Sequence, residues 1–407
     1  MLNLNPNNII PFGVDPSRAE LAIVSINERP TLFKIRNNQD GHREFLKRVV
    51  KMKEETGKTP VFAIEGNSPF VLGFTFQAYR LEFPTYEITP YHLHEVRNLL
   101  LGEDQNDYRD AKAAAMAITQ LPQLLKPVKN DLLWFALKVL VSTRLRLVRD
   151  QTRDINLLHN HLSQIWGPVY KKFFPILNSP QALTFFSTFP TPVGVYGAEE
   201  EVLNLLQAQG LLYYRVKWGK KKVKEIKAEV KEMDWKRDEY LTELGLIVKS
   251  FATDALKRLR RIKEIEERLK EKAKGWKEGE ISLLRTIPGF DWVLACSVVV
   301  LIGDLSRFER KADFIAYCGL VLCSKESGKK KGKKKRKRRN KLLSHLFYQA
   351  ALASLRSSEL SRKYYQKKLQ EGKKGKQAIR ALAKKLAEIT YAVLKNKEPY
   401  DETRLLN

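Results

Sequence analysis

Residues 9–36 read IIPFGVDPSRAELAIVSINERPTLFKIR. Three short runs rich in apolar and β-branched residues lie in it: Ile9–Asp15, Glu20–Ile26 and Thr31–Arg36. The break Asn27-Glu28-Arg29-Pro30 is a turn signal, so the stretch predicts a three-strand antiparallel meander. Downstream, Gly41–Glu55 carries Phe45, Leu46, Val49, Val50 and Met52 at helical spacing. Pro60–Ile64 reads as a strand, Pro69–Tyr79 as a short helix and Thr85–Thr89 as a strand. Tyr91–Leu101 and Tyr108–Gln120 read as helices. The order is βββαβαβα, and strands alternating with helices imply a parallel portion of the sheet.

Acids fall at particular places in that order. Asp15 ends the first strand, Glu65 ends the fourth, and Asp107 and Asp110 open the last helix, three apart and so on one face. In a ribonuclease-H-like sheet the first and fourth strands are neighbours and the last helix packs beside their ends, so the four carboxylates would converge. Clustered carboxylates repel unless a cation sits among them. Hard oxygen donors suit Mg²⁺ or Mn²⁺, and two such ions clamp the attacking and leaving oxygens of a phosphodiester exchange. Singly each acid has a plainer reading: Asp15 as a turn former before Pro16-Ser17, Glu65 as a strand-end charge, Asp107 as a helix N-cap. Asp104 rivals Asp107 for one place.

Charge is segregated. The chain of 407 residues carries +28 overall, yet residues 1–130 carry only +1 and residues 131–407 carry +27. A polyanion partner is expected for the second part, with nucleic acid foremost. A hydrophobic fraction of 43% rules out global disorder. The longest apolar run, Trp292–Gly303, spans 12 residues, too short for a bilayer. The first residues show no basic-then-apolar leader, and the three cysteines, Cys296, Cys318 and Cys323, match neither a disulfide framework nor a zinc site. A cytoplasmic protein is expected, with no membrane partner.

From about residue 130 the pattern is helical. Leu241, Leu244, Val248, Phe251, Ala255, Ile262, Ile265 and Leu269 fit heptad a and d positions, interrupted by Arg258, so a coiled coil or helical hairpin is expected. Ile281–Arg285 and Trp292–Leu301 flank Ile287-Pro288-Gly289-Phe290. That spacing fits a helix-hairpin-helix, whose turn would meet a DNA phosphate, as well as an ordinary helix connection. The basic run Lys329, Lys330, Lys331, Lys333, Lys334, Lys335, Arg336, Lys337, Arg338 and Arg339 reads as a phosphate-tracking arm or a solvated loop. A helical stretch over Leu342–Leu394 closes the chain. The six histidines build no site, and no Gly-rich nucleotide loop is present.

The segments GVDPSRAELAIVSI (13–26), FAIEGNSPF (62–70), ITPYHLHEVR (88–97) and DQNDYRDAKAAAMA (104–117) resemble the insertion-sequence transposases with a resolvase-like DEDD domain and a separate carboxy-terminal transposase domain. RLRLVRDQTRDINLLHNHL (144–162), FPTP (189–192) and FIAYCGLVLCSKESG (314–328) extend the resemblance over most of the chain. It departs from the family where a Lys usually follows the first Asp, here with Arg18 nearby, and where Gly66-Asn67 replaces a Thr-Gly. The resemblance implies Asp15, Glu65, Asp107 and Asp110 as the metal-binding quartet. It also implies Ser327, rather than Ser324, as a serine that attacks DNA, with Lys325, Lys329 and Lys330 near the developing charge.

The expectation is therefore an α/β ribonuclease-H-like domain over 1–130. A helical coiled-coil region over 131–280 would carry dimerisation, and a helical transposase and DNA-binding domain would cover 281–407. The function implied is DNA strand exchange by a homodimer or homotetramer associated with the nucleoid, with acids and serine from different subunits in one site and a structured guide RNA. Two other classes stay open: a metal-dependent nuclease or junction resolvase without a covalent serine, and a non-enzymatic nucleic-acid-binding protein.

Overall fold

A computed structural model describes residues 6–402 except 28, 67–69, 102–105, 129–130, 196–197, 199, 202–203, 205–223, 227, 230, 232–238, 328–329 and 336–338. The chain divides into two compact units, 1–131 and 132–407.

In the first unit β1 (Ile9–Pro16), β2 (Glu20–Ile26) and β3 (Pro30–Arg36) form the expected meander, followed by α1 (Gln39–Thr56) and β4 (Thr59–Glu65). Next come α2 (Leu72–Arg80), β5 (Thr85–Ile88), α3 (Pro90–Leu101), α4 (Asp107–Gln120) and β6 (Lys126–Pro127). The sheet order is β3-β2-β1-β4-β5-β6, with β1–β4 and β4–β5 parallel. The β4 strand beside β1 is the neighbour relation expected of a ribonuclease-H-like sheet. The edge strand β6 was not foreseen, since two residues carry no periodic signal.

The period of two decides which side chain faces which layer. Ile10, Phe12 and Val14 share a core with Phe45 and Val49 of α1 and Phe74 of α2. Ile9, Val61 and Ala63 share the other core with Leu93 and Val96 of α3 and Ala113 and Ala117 of α4. Continuing the alternation, Asp15 and Glu65 fall on the α3/α4 face, at the end where both strands stop.

The second unit is built on two 34-residue helices, α5 (Leu132–Ile165) and α7 (Glu239–Lys272), with α6 (Pro180–Thr188) against α7. They run antiparallel: Arg144 Nε meets Glu266 at 2.7 Å, Arg258 meets Asp154 at 2.7 Å and the Tyr240 hydroxyl donates to Gln164 at 2.6 Å. Leu244, Val248, Ala252 and Ala255 are buried in one core with Leu158, Leu162, Phe185 and Phe186. The heptad seam is thus filled within the chain, because α5 is amphipathic and of equal length. The helix that covers the seam lies in the same chain. Arg258, the break in the heptad, sits opposite the buried Asp154.

Further along come α8 (Glu278–Arg285), α9 (Trp292–Ile302), α10 (Lys311–Tyr317), α11 (Lys341–Ser357), α12 (Glu359–Gln370) and α13 (Gly375–Asn396). The apolar run proves to be the centre of a core: every residue of α9 from Val293 to Ile302 is buried, against α5, α11 and α13 among others. Among the described residues no helix is long and apolar enough to cross a membrane. The closing helical stretch consists of three helices, broken at Ser358, whose hydroxyl caps α12, and at residues 371–374.

Candidate active site

Gly13 brings the site together. A Cβ there would overlap the carbonyl oxygen of Ala111 and the amide of Ala115, so α4 lies directly on β1. The alanines of α4 (Ala111, Ala113, Ala114, Ala115, Ala117) are fully buried and permit that approach. Asn106 caps the helix by accepting from the Arg109 amide at 2.8 Å. The first turn of α4, with Asp107 and Asp110, thereby stands over the ends of β1 and β4, where Val14 pairs with Ile64 one step before Asp15 and Glu65.

All four acids are felt at Asp15. Its carboxyl is pushed up to about 8 by partial burial, by a hydrogen bond with Glu65, and by the charges of Glu65, Asp107 and Asp110. Asp15 thus holds a proton at neutral pH, in a hydrogen bond with Glu65. Asp107 is exposed and Asp110 is buried. Among the described residues no group of three or more His, Cys, Asp or Glu is closed up into a ready metal site. Asp110 shows one reason, since it is turned to a cation of the chain itself.

That cation is Arg97 of α3, which sequence reasoning did not single out. Its Nη1 donates to Asp110 at 2.6 Å, and the guanidinium is buried. Its Nη2 donates to His94 Nδ1 at 2.7 Å, so this imidazole, one turn back on the same helix, orients the arginine. The spacing of three in HLHEVR was the available signal. A second network holds the loops. Asn37 Nδ2 donates to the Ser17 and Phe70 carbonyls at 2.7 and 2.8 Å, and its Oδ1 accepts from His42 at 2.8 Å. The chain leaving β1 is tied by that side chain to the chain leaving β4.

In the second unit, β7 (Leu322–Ser327) and β8 (Lys330–Lys335) form an antiparallel hairpin in place of a loop. Ser327 is the last residue of β7, paired with Lys330. Lys331, Lys333, Lys334 and Lys335 lie on β8, and Ser324 pairs with Lys333. Lys329, Arg336, Lys337 and Arg338 lie outside the described residues, as does Asp104. Arg339 precedes Asn340, which caps α11 by accepting from the Leu342 and Leu343 amides.

Pro288 and Gly289 lie in the turn between α8 and α9. Gly289 has φ +88, and a Cβ on it would overlap the Ala350 carbonyl of α11, so the turn is closed against that helix. Asp291 caps α9 by accepting from the Leu294 amide at 2.7 Å.

A mixed sheet with four acids converging at one corner, followed by a basic helical unit, defines the class coarsely. The family models define it further. The DEDD transposase model of IS110 type matches residues 12–167, and that of the transposase IS116/IS110/IS902 family matches residues 281–366. The chain belongs to the DEDD-type insertion-sequence transposases, a family of enzymes of DNA strand exchange. It is 25% identical over 303 residues to an insertion element IS116 protein of 44.8 kDa from Streptomyces clavuligerus, covering 73% of this chain and 72% of that one. It is 33% identical over 124 residues to the pilin gene-inverting protein of Moraxella lacunata, covering 30% and 38%. Among solved structures it is similar to T. thermophilus RuvC in complex with Holliday junction substrate, at 14% identity and a TM-score of 0.23, covering 30% of this chain and 99% of that one.

Proposed function

We propose that the protein is the transposase of an insertion sequence, cutting and rejoining DNA strands with an acidic metal site in the first unit and Ser327 as nucleophile in the second. The observation that carries the reading is the raised Asp15 carboxyl, which reports Glu65, Asp107 and Asp110 around it. Four oxygen donors that repel one another fit a hard divalent cation in their chemistry. Asp15, Glu65, Asp107 and Asp110 would hold Mg²⁺ or Mn²⁺, which when bound neutralises charge on a phosphodiester oxygen.

The residues themselves do the following. Asp15 would give up its proton as the acids become ligands. Arg97 holds Asp110 in place through the 2.6 Å contact. The Ser327 oxygen bonds to phosphorus while its proton leaves to a base, and one P–O ester bond breaks to release a strand ending in a hydroxyl. Attack by another strand's hydroxyl reverses the exchange and restores the serine. The +27 charge of residues 131–407 supports DNA as substrate and, by the family resemblance, a structured guide RNA as partner.

The test is recombination between plasmids bearing the element ends and a target, with Asp15→Asn and Ser327→Ala. Both variants lose recombination and keep DNA binding, and Ser327→Ala also loses the covalent protein–DNA adduct on a denaturing gel. Cleavage that survives Ser327→Ala but needs Asp15 would turn the assignment to a metal-dependent nuclease. Full activity in chelator would remove the metal. Sequencing of RNA that co-purifies with the protein tests the guide: one discrete species from the element's flank is expected.

A further inference from the structure

A cavity of about 770 Å³ opens in the second unit between α11 and α13, beside the Gly319–Leu320 turn. Six basic side chains line it: Arg339, Lys341, His345, Lys373, Arg380 and Lys384. Among the described residues no acid does. Lys373 is paired with Glu371 at 2.7 Å and Lys384 with Glu388 at 3.5 Å. Lys341 and Arg380 have no carboxylate partner among the described residues. The His345 imidazole is held below its usual range by partial burial and then by Arg149 and Arg144 of α5, so the positive field extends beyond the rim.

The cavity also stands at a particular place in the chain. Gly319 and Leu320 come just before β7, and Arg339 comes just after the basic run. Gly319 has φ +71, and a Cβ on it would strike the Arg339 side chain, so the two feet of the Ser327 hairpin close on each other at the cavity rim. Tyr348, half-buried, presents a ring in the wall. Lys341 and Arg380, without a carboxylate partner among the described residues, suit the phosphates of a polyanion, and an aromatic wall suits an unpaired base.

We infer that this cleft seats a single strand of nucleic acid, its phosphates on Lys341 and Arg380, at the base of the hairpin that carries Ser327. The inference rests on the transposase reading for the role of the strand, and on the cavity alone for its binding. DNA and RNA share the phosphodiester chemistry.

The experiment measures binding of the full chain to short single-stranded DNA, to single-stranded RNA of the same sequence, and to duplex DNA, over a range of salt. The variants are Lys341→Glu and Arg380→Glu. Lys257→Glu, on the exposed face of α7, is the control with the same change in net charge. Each cleft variant weakens binding of one or both single strands about tenfold and lowers the salt slope by about 0.7, while Lys257→Glu stays close to the parent. The arm that is lost tells DNA from RNA. Cleft variants that match Lys257→Glu on both single-strand probes overturn the inference, as does a loss confined to duplex. Binding is read without strand exchange, so a loss in the cleft variants supports the inference even where the recombination assay refutes the transposase reading.

Discussion

Gly13 of β1 lies directly under Ala111 of α4, so close that a side chain at position 13 would occupy the space of the Ala111 carbonyl oxygen. The contact fixes the height of α4 above the sheet and, through it, the distance from Asp107 and Asp110 to Asp15. Gly13→Ala therefore forces α4 outward, and destabilisation of about 3 kcal/mol or more is expected. All six tryptophans lie beyond residue 131. Loss of circular-dichroism signal with tryptophan fluorescence retained would place the damage in the first unit. A melting curve like the parent's would contradict the contact.

The Asp15 carboxyl, about 8 when folded against 3.8 when free, keeps a proton that the unfolded chain has already lost between those values. Stability of the metal-free protein from this group is accordingly present at low pH and lost as pH rises towards 8. Asp15→Asn removes the penalty, on the order of 1 kcal/mol at pH 8 after solvent screening and near zero at pH 4. Thermal melts in chelator across that range check it. Cation binding at pH 7 should also release up to about one proton in the parent, read by calorimetry in buffers of different ionisation heat.

Arg97 and Asp110 form a buried pair. Arg97→Met strands the carboxylate and is expected to cost about 3–5 kcal/mol, whereas Arg97→Met with Asp110→Asn recovers much of it. Urea titration of the two variants settles the matter. Equal losses would mean that the arginine stabilises by packing alone.

The antiparallel pairing of α5 with α7 predicts that the melting temperature does not depend on protein concentration, since Val248 finds its partners in its own chain. A rise over a hundredfold increase in concentration would restore an intermolecular coiled coil.

Burial pushes the Cys296 thiol up to about 12 and raises Cys318 as well. Native Cys323→Ser protein should take up no alkylating label at pH 8 and two labels in denaturant, by mass spectrometry. Native labelling would show that the α9 core opens.

The sheet was legible because its strands alternate. Ile10, Phe12 and Val14 against Ile9, Gly13 and Asp15 is a period of two that a reader can see, and it puts Asp15 and Glu65 on one face before any coordinates. The helices α1 and α4 were legible from apolar spacing, to within a residue or two at their ends. The heptad in 241–269 was legible as a seam but not as to partner. Periodicity states that a face will be covered and is silent on what covers it. The Pro288–Gly289 turn was read from two helices and a glycine, whereas its direction depends on α11, some sixty residues later.

Local order set the strands, the helices, the acids at their ends and the segregation of charge, because each follows from neighbours a few residues apart. The tertiary structure alone decided that Gly13 admits α4, that Arg97 takes Asp110, that α7 lies on α5, and that Lys341 and Arg380 face one cavity. Those are meetings of residues distant in the chain, settled by which surfaces pack most closely and which buried charges find an opposite.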